Sequence, residues 1–130
     1  MIILDTHIWI WWTDENPKLH NHDLEFLRAT ESEGLGVSSF SIWEIGKLYE
    51  KHRVNFSVPL EDWFDKALSR PNIILLPASP KVIIDSIQLP GDFHKDPADQ
   101  IIVATARVYD CLLITYDSKI LEYPHVKLLP

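Results

Sequence analysis

The stretch DPADQIIVATARVYDCLLITYD, residues 96–117, contains the two signals on which the fold prediction depends. Asp96-Pro97 is a typical helix start, because Asp caps free backbone N–H groups and Pro fits the first helical position. Apolar residues then recur at helical spacing, which predicts an amphipathic helix over about Ala98–Tyr109. The continuous apolar run that follows predicts a buried strand at Cys111–Thr115. A helix that leads directly into a buried strand is typical of α/β proteins.

The same alternation extends along the rest of the chain. Further strands are predicted at Ile2–Leu4, Leu35–Ser38, Ile73–Leu76 and, as a fifth strand, Val126–Leu129. Further helices are predicted at Thr6–Thr13, Lys18–Glu33, Ser41–His52, from Pro59 to Ser69, from Pro80 through Ile87, and as a short turn before Ile120. We therefore expect a three-layer α/β/α sandwich around a mostly parallel sheet of four or five strands.

Length and composition limit the class of protein. A chain of 130 residues is long enough for one domain, expected to span residues 1–130, and 46% hydrophobic with 24% charged residues is ordinary for a globular protein. The apolar opening is interrupted by Asp5 and His7, so it is expected to be neither a signal peptide nor a membrane span. The single cysteine, Cys111, is expected to be a buried structural thiol, which fits a reducing cytoplasm.

The net charge of −7 argues against a protein that holds nucleic acid through bulk positive potential. Any phosphate substrate would have to be bound locally, by a metal ion and a few cationic side chains.

Four acidic residues, Asp5, Glu44, Asp99 and Asp117, lie close to predicted junctions between apolar runs and helices. In a parallel sheet these junctions meet at the carboxyl edge, so the four side chains are expected to converge. Carboxylates gathered in this way repel one another unless protons or cations intervene. Oxygen ligands without a nearby cysteine favour Mg²⁺ or Mn²⁺ over Zn²⁺.

Helix capping is the alternative explanation for each of these acids. Ser41 and Glu44 match a capping box, and Asp96 is a cap in its own right. Capping requires only one small polar residue per helix, so it does not explain Glu44 beside Ser41, or Asp96 and Asp99 together. The set as a whole favours a shared metal site.

Candidate substrate contacts surround the acids. Lys47 and Lys51 follow Glu44 by three and seven residues, so all three share one helix face. The two lysines form either ion pairs on a solvated face or a basic strip that binds a phosphate backbone. Lys95 from the preceding loop, and His94 beside the acids, are further candidates for phosphate contacts, with surface or packing roles as the alternative.

Other histidines and the tryptophans carry weaker signals. His20 and His22 are expected at the solvated surface. The five tryptophans are expected to pack in the core by default. Three of them fall within Trp9–Trp12 and cannot all face one direction on a helix, so at least one is expected to reach the surface, where it would suit a protein partner.

The ordered motifs resemble the PIN domain, and specifically the VapC-like toxins of bacterial type II toxin–antitoxin modules. The resemblance is carried by Ile-Leu-Asp5-Thr6-His7, Ser-Ile-Trp-Glu44-Ile, His94-Lys-Asp96-Pro-Ala-Asp99 and Thr115-Tyr-Asp117, which span nearly the whole chain in the family's order. It implies a Mg²⁺- or Mn²⁺-dependent ribonuclease that a cognate antitoxin holds inactive, with a homodimer as the usual assembly.

Residue by residue, the resemblance implies that Asp5, Glu44, Asp99 and Asp117 are the metal-binding and catalytic acids. Asp96 matches an accessory acid and Thr115 the hydroxyl near the last metal-binding acid; Thr6 beside Asp5 is also expected to be accessory. Gln100 stands where many relatives carry Arg, which puts any contact of that Arg in doubt.

The expected mechanism follows from this set. Asp5, Asp99 and Asp117 would hold one or two ions, and Glu44 would bind a second ion or orient the attacking water. In-line displacement would leave a 5′-phosphate without using the ribose 2′-OH. The alternatives are a DNA nuclease of the same superfamily, a receiver-like phosphorylation module and a non-catalytic interaction domain.

Overall fold

A computed structural model describes all 130 residues of the chain, Met1–Pro130. The strands are β1 (Ile2–Leu4), β2 (Leu35–Ser38), β3 (Ile73–Leu76) and β4 (Leu112–Ile114). The α-helices are α1 (Thr6–Asp14), α2 (Asn21–Thr30), α3 (Ser39–Glu50), α4 (Leu60–Ser69), α5 (Pro80–Ile87), α6 (Pro97–Val108) and α7 (Ser118–Leu121). A 3₁₀ turn, Glu31–Glu33, follows α2.

The four strands form one sheet in the order β3-β2-β1-β4, and every neighbouring pair is parallel. Side chains alternate across β1, since Ile2 and Leu4 pack into a cluster that contains residues of α1 to α4, whereas Ile3 packs on the opposite face with residues of α6 and α7. Helices therefore cover both faces of the sheet. The predicted three-layer α/β/α architecture with a parallel sheet is confirmed.

The predicted fifth strand at Val126–Leu129 is wrong. This segment makes a single parallel bridge, between Leu113 and Leu128. Two backbone hydrogen bonds support the bridge, from Leu113 to Lys127 at 2.8 Å and from Leu129 to Leu113 at 3.0 Å. The pairing cannot extend far, because Pro130 has no N–H group with which to continue the ladder.

Two predicted helices have different bounds in the structure. The segment predicted as Lys18–Glu33 is α-helical only over Asn21–Thr30, because a turn in which Leu19 N–H donates to Asn16 precedes the helix and a 3₁₀ turn follows it. Helix α3 begins at Ser39, and the hydroxyl of Ser38 caps it by accepting a hydrogen bond from Phe40 N–H. The proposed Ser41–Glu44 capping box is therefore wrong, since both residues lie inside the helix.

Smaller differences concern single residues. Cys111 is half-buried rather than buried, because it precedes the first residue of β4. Trp9 and Trp12 are buried and Trp11 is half-buried, whereas Trp43 has the most exposed indole, at 55%. His20 and His22 are exposed, as predicted. None of the helices has the length and apolar character needed to cross a bilayer.

Candidate metal centre

The four predicted metal-binding acids lie at the carboxyl edge of the sheet. Asp5 directly follows β1, and Asp117 follows β4, the neighbouring strand. Glu44 lies in the second turn of α3, the helix that follows β2 on the other side of β1. Asp99 lies in the first turn of α6. The parallel order of the sheet brings side chains from across the sequence to one place, as expected for the crevice at this edge.

Asp5 is the most firmly held of these carboxylates. Its side chain is only 8% exposed, and each of its oxygens accepts a hydrogen bond. Oδ1 accepts from Thr6 N–H at 2.8 Å, and Oδ2 accepts from the Thr115 hydroxyl at 2.6 Å. Burial raises the pKa of Asp5 above its ordinary value, while the hydrogen bonds from Thr115 and Thr6 oppose that rise. The carboxylate is thus fixed in orientation, in the manner of a preorganised ligand.

Glu44 reaches the site through a contact between α1 and α3. The hydroxyl of Thr6 donates to Glu44 Oε1, and the same hydroxyl lies 2.8 Å from the buried hydroxyl of Ser41. Burial is the main cause of the raised pKa of Glu44, and the negative charges of nearby carboxylates, Asp5 first, add to it. Thr6 therefore positions Glu44 in addition to its bond with Asp5.

Asp99 is strongly affected by the charges of its neighbours. Burial and the charges of Asp117, Asp5, Asp96 and Glu44, in that order, raise its pKa from 3.8 to about 8. Four other carboxylates therefore lie close enough to Asp99 to oppose its ionisation. None of these five acids pairs with a lysine or arginine. The negative charge of the cluster is therefore uncompensated by cationic side chains.

His94 lies inside the cluster. Its Nε2 atom is 2.8 Å from Asp99 Oδ2, and suitable ligand atoms of His94, Asp99 and Asp117 all lie within 4.8 Å of one another. Nε2 is buried and makes no well-aligned hydrogen bond, so the short distance to Asp99 is a close approach of two polar groups. A buried ring nitrogen without a hydrogen-bond partner beside two carboxylates is the arrangement that an added cation would complete.

Thr115 connects the first and last acids. Its hydroxyl donates to Asp5 and accepts from Asp117 N–H at 3.0 Å. Asp117 caps α7 through Oδ1, which accepts from Lys119 and Ile120 N–H groups at 2.9 and 3.3 Å. Both capping bonds end on one oxygen, so Oδ2 remains available to a ligand.

Capping explains only part of the acid set. Asp96 caps α6, since its Oδ1 accepts from Asp99 N–H at 3.1 Å, and its side chain is exposed at the rim. Asp117 also caps a helix, and Asp5 bonds the first N–H group of α1. Glu44 and Asp99 do not cap a helix, although both belong to the acid cluster. Their positions require a different explanation, which a bound cation supplies.

The remaining candidates surround this cluster. Lys47 pairs with Glu50 at 3.4 Å, so the ion-pair alternative applies to it, whereas Lys51 and Lys95 are exposed and form no ion pair. Gln100 donates from Nε2 to the backbone carbonyl of His94 at 3.1 Å, which holds the loop before α6. Sequence reasoning missed this contact and that of Ser41, because neither residue type is distinctive at its position.

The donor set fits Mg²⁺ or Mn²⁺. Both ions are hard cations that take carboxylate oxygens, and Mn²⁺ also accepts imidazole nitrogen. The cluster offers the carboxylates of Asp99 and Asp117 beside the His94 imidazole, with Asp5 and Glu44 close enough to act on Asp99. The uncompensated charge, the raised pKa of Asp99 and the unpaired His94 nitrogen all favour a divalent cation at this place.

Comparison with known proteins identifies a matching family and a curated relative. The model of the PIN-domain family matches residues 2–126. The curated protein Ribonuclease VapC22 of Mycobacterium tuberculosis is 28% identical over 124 residues, covering 95% of this chain and 92% of that protein.

Solved structures with the same fold include two VapBC structures with bound DNA. DNA-bound VapBC of Salmonella typhimurium has a TM-score of 0.72 at 18% identity, covering 98% of this chain and 96% of that one. VapBC2 of Rickettsia felis, bound to a promoter DNA fragment, has a TM-score of 0.68 at 18% identity, covering 99% and 98%. At this level of identity the similarity concerns the fold.

Proposed function

The chain belongs to the PIN-domain family, and from this premise we propose that it is a divalent-metal-dependent endoribonuclease, the toxin of a toxin–antitoxin pair. The observation that carries the proposal is the convergence of five carboxylates, of which Asp99 has a pKa raised to about 8 by burial and by the charges of the others. Strongly perturbed acids in a crevice are typical of catalytic sites. The similarity to a protein named as a ribonuclease supports RNA as the substrate.

Asp5, Asp99 and Asp117 are the proposed residues that hold Mg²⁺ or Mn²⁺, with Glu44 available for a second ion or for the attacking water. When bound, a divalent ion supplies a water of lowered pKa and neutralises charge on the phosphate. His94, whose Nε2 lies 2.8 Å from Asp99, restricts the position of that carboxylate.

The side chains around the acids have distinct roles in this proposal. Thr115 and Thr6 orient Asp5 by bonding both of its oxygens. Glu44 has a raised pKa, because burial and neighbouring carboxylates favour its protonated form, so it is suited to take a proton from an attacking water. Nothing in this arrangement uses the ribose 2′-OH, so we expect cleavage products with a 5′-phosphate.

Protein partners also enter the proposal. Helix α5 exposes Ile83, Ile84 and Ile87, and edge strand β3 exposes Ile74 and Leu75, each between 38% and 74%. Exposed apolar groups of this extent are typical of protein interfaces. We propose that the chain forms a homodimer and binds a cognate antitoxin, in keeping with a fold relative from Klebsiella pneumoniae that was solved as a toxin–antitoxin complex. We also propose that it acts in the cytoplasm, where its RNA substrates are.

Cleavage of RNA by the purified protein tests the proposal. Structured and single-stranded RNAs are incubated with Mn²⁺, with Mg²⁺, and with a chelator, in parallel with the Asp99→Asn variant. We expect cleavage only with metal, 5′-phosphate ends, and a fall of at least roughly a hundredfold for Asp99→Asn, because the variant loses a charged ligand. Cleavage that persists in chelator, or an Asp99→Asn rate equal to that of the native chain, would refute the metal-dependent mechanism.

A further inference from the structure

Trp43 is an exposed aromatic side chain next to the candidate metal centre. It directly precedes Glu44 on α3, and its indole is 55% exposed although large aromatic side chains gain most from burial. The ring of Phe40 packs against it, with centroids 5.2 Å apart and an interplanar angle of 34°. The indole is therefore held by Phe40 and still more than half exposed, so it can serve as a stacking platform.

Cationic side chains follow Trp43 along α3 and in the turn after it. Lys47 follows by one turn, and its Nζ atom lies 5.6 Å from the centre of the Trp43 ring. Lys51 follows after a further turn and Arg53 comes two residues later, and neither forms an ion pair. Lys47 pairs with Glu50 at 3.4 Å, which leaves Lys51 and Arg53 as two unpaired cations in a chain with a net charge of −7.

The platform and the cationic strip line a groove that begins at the metal centre. The groove has a volume of about 370 Å³, the size of a small-ligand pocket. Glu44 and Asp96 of the acid cluster line it together with Trp43, Lys51 and Arg53. Lys51 follows Glu44 by seven positions and caps the C-terminus of α3, a rise of roughly 10 Å along the helix, so the outer cations lie beyond the reach of a phosphate held at the centre.

We propose that this groove binds single-stranded RNA, with one base stacked on Trp43 and the adjoining phosphates contacting Lys51 and Arg53. This assignment rests on the proposed function, because the groove shares Glu44 with the metal centre. Only an unpaired base can present its face to an indole, so the groove selects single strands over duplexes. A protein partner could also cover an exposed tryptophan, but the adjoining cations match a phosphate backbone better than an apolar protein surface.

Kinetics with matched single-stranded and duplex RNAs test the role of Trp43. For Trp43→Ala we expect KM for the single strand to rise roughly tenfold, the equivalent of ~1.4 kcal/mol, which is within the range for loss of one base–aromatic stack. Trp43→Phe should recover most of the affinity, because it restores an aromatic face. Tyr109→Ala, at an exposed aromatic position after α6, is the matched control and should leave KM unchanged. Circular dichroism checks that each variant is folded.

Salt dependence tests the cationic strip independently of turnover. Binding of a labelled single-stranded RNA to the Asp99→Asn protein is followed by fluorescence anisotropy at several salt concentrations. Adding Lys51→Ala should reduce the slope of log affinity against log salt by about 0.7, the value for one phosphate contact on a single strand. Lys81→Ala, which removes an exposed lysine of α5, should leave the slope unchanged.

The outcomes separate this assignment from the proposed function. If the protein cleaves RNA and Trp43→Ala leaves KM for the single strand unchanged, the groove assignment is refuted and the ribonuclease proposal stands. The same conclusion follows if Trp43→Ala abolishes only antitoxin binding. A native chain that cleaves no RNA with Mn²⁺ would overturn the proposed function, and the groove assignment with it. Equal loss of affinity for single-stranded and duplex RNA would also refute base stacking.

Discussion

Replacement of Asp99 by Asn should stabilise the metal-free protein and weaken its response to Mn²⁺. The pKa of Asp99 rises from 3.8 in an unperturbed chain to about 8 in the fold, first through burial and then through the charges of Asp117, Asp5 and other neighbours. The folded state therefore retains a proton that the unfolded state releases. The contribution of this protonated group to the free energy of unfolding is therefore fully present below about pH 4, and it is lost as the pH rises through about 8.

The magnitude follows from the size of the shift. Each pKa unit corresponds to about 1.4 kcal/mol, so the shift from 3.8 to about 8 sets an upper limit of roughly 6 kcal/mol on the penalty above pH 8. Asn removes the charge but also the contact with His94, and the Asp99 side chain retains 15% exposure, so we expect a net gain of roughly 1 to 2 kcal/mol. For a chain of this size the gain corresponds to roughly 4 to 8 °C in Tm at pH 8.

Thermal and chemical unfolding from pH 5 to 9 in chelator measure this effect. Between pH 5 and 8 the native chain should lose stability relative to Asp99→Asn, by at most about 1.4 kcal/mol per pH unit, and the difference should level off above pH 8. Saturating Mn²⁺ should reverse the order, since an ion at a hundred times its Kd adds about 2.7 kcal/mol to the native fold. Asp65→Asn, at an exposed position of α4, is the control.

Two results would refute this reasoning. One is an Asp99→Asn protein that is less stable than the native chain in chelator at pH 8. The other is an equal gain in stability from Mn²⁺ for the native chain and the variant.

Further predictions concern the hydrogen bonds and proton equilibria of the same cluster. Thr115→Val removes the hydroxyl that bonds Asp5 at 2.6 Å, so Mn²⁺ affinity by calorimetry should fall roughly 10- to 100-fold, and an unchanged Kd would contradict a positioning role. The Mn²⁺ affinity of the native chain should increase from pH 6 to 8 as Asp99, with its pKa of about 8, releases its proton, and a flat profile would count against this ligand. Thr6→Val should lower the cleavage rate at saturating Mn²⁺ more than it lowers Mn²⁺ affinity, because Thr6 holds Glu44; equal losses would place Glu44 among the principal ligands.

Much of the fold could be predicted from local sequence signals. The apolar runs at β1, β2 and β3 and the capped amphipathic helix after Asp96-Pro97 were strong signals, although β3 leaves Ile74 and Leu75 exposed. The apolar pattern at Val126–Leu129 resembles a strand equally well, yet it forms one bridge. An apolar pattern predicts that a segment packs against the core. Strand pairing depends in addition on the path of a neighbouring backbone, and the local sequence does not specify that path.

The acids of the site were predictable because parallel topology places junction residues at one edge. The contacts that orient them were not. Ser41 was interpreted as a cap but lies inside α3 with its hydroxyl against Thr6, a contact between residues 35 positions apart. The bond from Gln100 to the His94 carbonyl and the exposure of Trp43 likewise depend on packing between separate elements, which the residue types alone do not reveal.

An anomalous difference map from crystals of the protein soaked in Mn²⁺ tests the central claim most directly. The account predicts a peak at roughly 2.0 to 2.2 Å from carboxylate oxygens of Asp99 and Asp117, within the cluster that they form with His94. A map with no peak at this place, or with peaks only on acids elsewhere on the surface, would contradict a metal centre built from these residues.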